Sequence, residues 1–332
     1  MTKHEPARTQ TSVLEQRDPA WAHEFEAMLA AYEQAGGRSD ILRMPKVASA
    51  VISGNQVLSV NLVDGVDIRA EELENGVRAY VTVAPGVKVD HPVHLCFGMT
   101  TAEGVQEIFP EFEIGEGAEI GFLAHCTFPN AVDLKHVMEA HIRVGPGATM
   151  RYNEGHYHGP EGGVTVLSKT YAVVEKEGRL ESAFSLTQGR VGKLDIQFEA
   201  DVGAGVVVEL SAKVYGSGDD EIKVNEVLRL NGEGSRGLTK TRVAVRDRAH
   251  SEIYTTAEGN APFAKGHMDC TEIVRGAAVA RNVPIVVVRD ERARVTHEAA
   301  IGSISRKELE TLMARGLDEE EATDIIIRGM LK

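Results

Sequence analysis

Two segments near the C-terminal end carry side chains able to hold iron or zinc. Gly266-His267-Met268-Asp269-Cys270 and Val295-Thr296-His297-Glu298-Ala299 supply imidazole, thiol and carboxylate groups. A thiolate is a soft iron ligand, while neutral imidazole and carboxylate hold iron loosely enough for release. Spacing restricts how these groups combine. In an extended strand His267 and Cys270 point to opposite faces, and His297 and Glu298 also diverge. Without a bend or bulge such pairs cannot share one ion, so spacing alone makes no metal motif. Taken singly, Cys270 reads more readily as a small buried hydrophobe.

A second constellation is Glu154-Gly155-His156-Tyr157-His158. His156 and His158 share one face of a strand and could grip one metal, as the HxH pair of a cupin-type enzyme does. Glu161 follows too closely to complete that pattern, and the Gly159-Pro160 turn intervenes. The plainer expectation is two histidines on a wet strand. His125-Cys126 and the pair His91 and His94 are weaker signals, and Cys96 reads as core. The chain has no GxxxxGK[ST] loop, GxSxG elbow, HExxH or CxxC, so it is not itself a P-loop ATPase.

The elements that must position these residues are mostly short strands. From about residue 46 to about 300, runs such as Leu194, Ile196 and Phe198, or Val206, Val208 and Leu210, alternate with polar residues. Ile114-Gly-Glu-Gly-Ala-Glu-Ile120 resembles Val144-Gly-Pro-Gly-Ala-Thr-Met150 and Val202-Gly-Ala-Gly-Val-Val-Val208. Gly117, Gly147, Gly178, Gly205 and Gly234 lie 30, 31, 27 and 29 residues apart. One supersecondary unit per period, with two strands each, indicates a flattened parallel β-helix. An antiparallel sandwich does not require so even a spacing.

Helices flank this core. Residues 1–45 read as a tail and a helix capped by Asp18 and Pro19, with the stripe Trp21, Phe25, Met28, Leu29 and Tyr32. Residues 301–332 read as a helical hairpin. Ser305-Arg-Lys-Glu308 forms a capping box and Leu309, Leu312 and Met313 line the first helix. Asp318-Glu-Glu-Glu321 starts the second, with Ala322, Ile325, Ile326 and Met330 as its stripe and Ile327 and Leu331 beside it.

Composition narrows the function classes. With 50 acidic and 36 basic residues the 332-residue chain carries a formal charge of −14, which disfavours nucleic acid or a membrane surface as main partner. Three cysteines make no disulfide framework, and the polar N-terminus has no signal-peptide core. The expectation is a cytoplasmic protein.

His267-Met-Asp-Cys-Thr-Glu-Ile-Val-Arg-Gly276, Pro284, Ala293-Arg-Val-Thr-His-Glu-Ala-Ala-Ile-Gly302 and the ending from Ser305 to Gly329 resemble the C-terminal core of the SufB/SufD family of iron–sulfur cluster assembly proteins. The resemblance implies a right-handed parallel β-helix with short terminal helices. It implies a scaffold, not an enzyme, whose terminal helices bind a SufC-like ABC ATPase through Leu309, Leu312, Met313, Ile325, Ile326 and Met330. ATP then enters only through that partner, and flavin dependence is undetermined. Two β-helices pair, as a homodimer or a SufB/SufD-type heterodimer, and a transient iron–sulfur cluster or iron sits near the interface. His297 maps onto the interface histidine of the SufD branch and Glu298 onto the acidic residue of the SufB branch. The SufB branch has a cysteine between the glycine and proline of this segment, where this chain has Ala277-Ala-Val-Ala-Arg-Asn-Val283. The first acid of that branch's EHEA is here Thr296. The chain thus resembles a compact form, with Cys270 as the expected sulfur-accepting thiol and His267, Cys270, His297 and Glu298 as metal ligands. The competing expectations are a cupin-like metal enzyme using His156 and His158, and a non-catalytic β-solenoid interaction module.

Overall fold

The computed structural model describes residues 19–331; the expected Asp18 cap lies outside them. Helix α1 (Pro19–Gln34) and a 3₁₀ turn (Ser39–Arg43) precede nineteen strands. These are β1 (Ser49–Ser53), β2 (Gln56–Asn61), β3 (Val66–Glu72), β4 (Gly76–Val83), β5 (Val93–Gly98), β6 (Glu103–Ile114) and β7 (Glu119–Phe128). There follow β8 (Asp133–Val144), β9 (Thr149–His158), β10 (Val164–Val174), β11 (Arg179–Leu186), β12 (Lys193–Val202) and β13 (Val207–Gly216). The last are β14 (Glu221–Leu230), β15 (Arg236–Val245), β16 (His250–Gly259), β17 (Lys265–Val274), β18 (Val279–Val288) and β19 (Arg294–Gly302). Helices α2 (Arg306–Met313) and α3 (Glu319–Met330) close the described chain.

Even-numbered strands from β4 to β18 stack in one sheet, and odd-numbered strands from β5 to β19 in the other. Every pairing along those two stacks is parallel, so the chain climbs through eight two-stranded coils. The expected parallel β-helix is the fold. Only its first end differs: β1 pairs β2, and β3 pairs β4, antiparallel. These hairpins leave β2 and β3 as edges, and β3 carries exposed Arg69, Glu71 and Glu72, charges that discourage further strand addition.

Alternation in the strands fills the space between the sheets. β8 buries Leu134, His136, Met138, Ala140, Ile142 and Val144 and turns Asp133, Lys135, Glu139, His141 and Arg143 outward. One continuous core of Val, Ile, Leu, Phe and Ala runs from Ala48 to Cys270. The coil period comes from backbone geometry at one corner. Gly86, Gly117, Gly147, Glu177, Gly205, Gly234 and Phe263 all have φ between 60° and 70° and recur every 28 to 31 residues. The expected Gly178 is displaced by one: Glu177 occupies the left-handed position. At Gly147 an added Cβ meets nothing, so the constraint there is conformational alone.

Helix α1 covers the odd-strand sheet at its first end. Phe25, Met28, Leu29 and Tyr32 pack on Val51, Leu58 and Cys96, as the stripe predicts. At the other end α3 lies on the outside of the same sheet, where Ile327 and Leu331 meet Ala244, Tyr215 and Ile273. The buried face of α3 is Ala322, Thr323, Ile327 and Leu331, rotated from the expected stripe of Ala322, Ile325, Ile326 and Met330. The capping box also sits elsewhere. Ser305 only accepts from the Glu308 N–H, whereas Asp318 and Glu321 make the complete reciprocal pair.

Candidate functional site

β17 alternates, burying Gly266, Met268, Cys270 and Glu272 and turning His267, Asp269 and Thr271 outward. Cys270 lies inside the solenoid, its Sγ 3.8 Å from Thr255 Oγ1. Thr241, its neighbour in register on β15, donates to Glu226 Oε2 at 2.7 Å. Burial, then the nearby Glu226 carboxyl, pushes the Cys270 thiol up to about 11, so it is protonated at neutral pH. Burial also raises Glu226 to about 7. A second inward carboxyl, Glu272, accepts from Ser251 at 2.6 Å and is likewise raised by burial.

Parallel register divides the four residues expected at this site. Met268 pairs His297 and Cys270 pairs Ala299, so Cys270 and His297 share the inward face. His267 pairs Thr296, and Asp269 pairs Glu298, so His267 and Glu298 share the outward face. His267 Nδ1 is 2.9 Å from Thr296 Oγ1, and Asp269, held low by its hydrogen bond from Arg242, is already paired. Strand spacing and a two-residue offset put the Cα atoms of Cys270 and His297 roughly 8 Å apart. His297 and Glu298 are exposed because β19 is the last strand of its sheet, with β17 as its one neighbour.

The histidines expected on a wet strand are inside the protein. His156 and His158 are buried, because β9 alternates in phase with its neighbours and its even positions face the core. They do share one face, and that face meets no barrel mouth. Cys126 stands beside His156 in register on β7, and His136 comes across from β8 in the opposite sheet. One donor atom from each of Cys126, His136 and His156 lies within 4.8 Å of the others. Glu154 Oε1 is 2.7 Å from His156 Nε2 and 4.0 Å from Cys126 Sγ. Sequence reasoning gave Cys126 only as a weaker signal beside His125 and missed His136. The thirty-residue repeat carries a signal for the first, since Cys126 and His156 are one period apart; His136, on the facing sheet, has none.

Burial sets the protonation of this cluster. It lowers His136, His156 and His158 to about 3 each, leaving neutral imidazoles. It raises Glu154 to about 7 and the Cys126 thiol well above its usual range.

Residues 105–330 match the family model described as SUF system FeS cluster assembly, SufBD core domain. The chain belongs to the SufBD family. It is 41% identical over 281 residues to an iron-sulfur cluster assembly SufBD family protein of Methanocaldococcus jannaschii, covering 85% of this chain and 89% of that one. A SufBD family protein of Pyrococcus horikoshii is 39% identical over 308 residues, covering 93% and 94%. The iron-sulfur cluster assembly protein SufB of Bacillus subtilis is 24% identical, covering 76% of this chain and 55% of its own length. The family signal therefore reaches well upstream of the C-terminal motifs.

Two surfaces of this SufBD chain are left apolar. β18 and β19 end their sheets, and Val279, Ile285, Val286, Val288 and Ile301 are exposed along that last coil. On the hairpin, Met313 and Ile325 are 40% and 47% exposed, and Leu309, Leu312, Ile326 and Met330 are half-buried. Arg246 to Glu320, Arg275 to Glu319 and Tyr215 to Asp324 tie the hairpin to the sheet at its rim. No described helix is long and apolar enough to cross a membrane.

Proposed function

We propose that this chain is a cytoplasmic scaffold on which an iron–sulfur cluster is assembled between two paired solenoids, driven by a SufC-like ABC ATPase docked on the terminal hairpin. The observation that carries the reading is the asymmetry of the two ends. The first end is folded back into hairpins with a charged edge, while the last coil keeps open edges and exposed Ile285, Val286, Val288 and Ile301. An apolar, unpaired edge of this kind is a template for strand addition. A second copy of this chain supplies it. His297 and Glu298 lie on that coil, and Cys270 lies one coil beneath them.

Burial keeps Cys270 a thiol, so accepting sulfur or iron requires the last coil to move. The hairpin is placed to move it. Ile327 of α3 packs in the same cluster as Ile273, three residues along β17 from Cys270. An ATPase that pulls α2 and α3 therefore acts on the strand that carries the thiol. Exposed Met313 and Ile325 offer the partner its apolar contact.

Co-expression with a soluble ABC ATPase tests the reading. The full chain co-purifies with the ATPase as a dimer, and removal of residues 305–332 abolishes capture while β-sheet circular dichroism persists. Undiminished capture by the truncated chain overturns the docking assignment.

A further inference from the structure

We propose that the solenoid interior contains a separate binding site for one divalent first-row transition ion, of the zinc or ferrous class, formed by Cys126, His136, Glu154 and His156. It lies on β7, β8 and β9, several coils away from Cys270 on β17.

The first argument is the donor set. Cys126, His136 and His156 are brought within 4.8 Å of one another by both sheets, and Glu154 Oε1 reaches His156 Nε2 at 2.7 Å and Cys126 Sγ at 4.0 Å. In a tetrahedral site with bonds of about 2.0–2.3 Å, donors lie roughly 3.5 Å apart, so rotations of side chains already in place close the shell. Sulfur and imidazole nitrogen select zinc or iron over magnesium and calcium.

The second, independent argument is an orphan. His136 is 0% exposed, and neither its Nδ1 nor its Nε2 has a hydrogen-bond partner. A buried imidazole with both nitrogens unpartnered is costly, and a ligated ion removes part of that cost. Its ring faces the other donors, packed between Phe128 and His156.

The third is the outer shell. His158 Nδ1 lies 3.1 Å from the Arg190 carbonyl and 3.3 Å from that of Val191, so it carries the proton and its Nε2 accepts. His156 Nδ1, 3.3 Å from that Nε2, is then the donor, which turns the lone pair of His156 Nε2 toward Glu154 and Cys126. Ligating histidines are usually oriented in this way through their second nitrogen, so His158 is a positioning residue.

The charge closes without redox chemistry. A dication enters, the Cys126 thiol and the Glu154 carboxyl, which donates to His156 Nε2 in the empty site, each release a proton to solvent, and thiolate and carboxylate together neutralise the ion, giving an uncharged assembly suited to a buried site. The oxidation state of the ion does not change. With four protein donors and no open position, the role is structural: it pins the two sheets together across the middle of the solenoid.

The test uses the full-length chain carrying Cys270→Ser, so that thiol ligation at the cluster site cannot contribute. It is refolded anaerobically with Co²⁺ and freed of excess metal. The expected result is one cobalt per chain with a thiolate-to-cobalt charge-transfer band and the visible bands of four-coordinate Co²⁺. Cys126→Ala removes the charge-transfer band, His136→Leu lowers cobalt affinity at least tenfold, and His158→Phe lowers it roughly 10- to 100-fold. Should Cys126→Ala fail to fold, X-ray absorption of the cobalt-loaded Cys270→Ser chain decides: one sulfur near 2.3 Å supports the site, and a shell of nitrogen and oxygen alone overturns it. A chain that binds no cobalt, or keeps its charge-transfer band in Cys126→Ala, also overturns it. None of these outcomes bears on ATPase capture.

Discussion

Replacing Glu226 by Gln makes the protein more stable at alkaline pH and leaves it nearly unchanged at acidic pH. Glu226 is buried beside Cys270, accepts one hydrogen bond from Thr241, and has no cation among its partners. Burial raises its carboxyl from 4.5 to about 7, with the Thr241 hydrogen bond opposing in part. Below pH 4.5 the carboxyl is protonated in folded and unfolded chains alike. Between pH 4.5 and 7 the unfolded chain releases the proton while the folded chain keeps it, so stability falls as pH rises. Above pH 7 the full penalty applies. A displacement of this size corresponds to about 3 kcal/mol. Gln keeps the acceptor for Thr241 and carries no charge, so it removes the penalty. For a chain of this size about 3 kcal/mol shifts the melting temperature by roughly 4–5 °C. Thermal unfolding followed by circular dichroism at pH 4 and pH 8 checks it: the variant gains about that shift at pH 8 and almost none at pH 4. An equal shift at both values, or a loss at pH 8, refutes the reasoning. Glu154 and Glu272 also titrate upward and give the wild type a residual slope that the variant retains.

Other outcomes follow from the corners and the hairpin. Phe263 holds a left-handed φ of 60° that only glycine adopts freely, so Phe263→Gly is stabilising by about 1 kcal/mol in urea titrations, less the Arg292 contact. Gly147→Ala, with φ 64° and open space around the new methyl, is destabilising by about 1–2 kcal/mol. Ile327→Ala removes the side chain that anchors α3 on Ala244, and hydrogen exchange in α2 and α3 rises while that of β5 to β11 stays unchanged.

The parallel solenoid is legible in the sequence because its corner demands a backbone conformation that glycine supplies, once per coil. The reading slips by one residue at Glu177, where the geometry persists without glycine. The N-terminal stripe is legible since α1 meets one flat sheet face. The face of α3 is not, because a helix with apolar residues on two sides is oriented by what it meets, here Tyr215, Ala244 and Ile273. Alternation alone separates Cys270 from His267 and His297 from Glu298, and the register then places His297 on the Cys270 side. The interior cluster is half legible. Cys126 and His156 are one period apart, but His136 arrives from the facing sheet, a contact that no spacing within one strand encodes.

The central claim is that this chain carries a cluster at the end of the solenoid through Cys270. Iron and acid-labile sulfide per dimer, measured after anaerobic reconstitution of the wild type and of Cys270→Ser, test it most directly. The account predicts a wild type that binds both with a visible sulfide-to-iron absorption, and a Cys270→Ser chain that stays folded and dimeric but retains no acid-labile sulfide and no sulfide-to-iron absorption, its iron limited to the one ion per chain of the interior site. A Cys270→Ser chain that reconstitutes as the wild type does contradicts it.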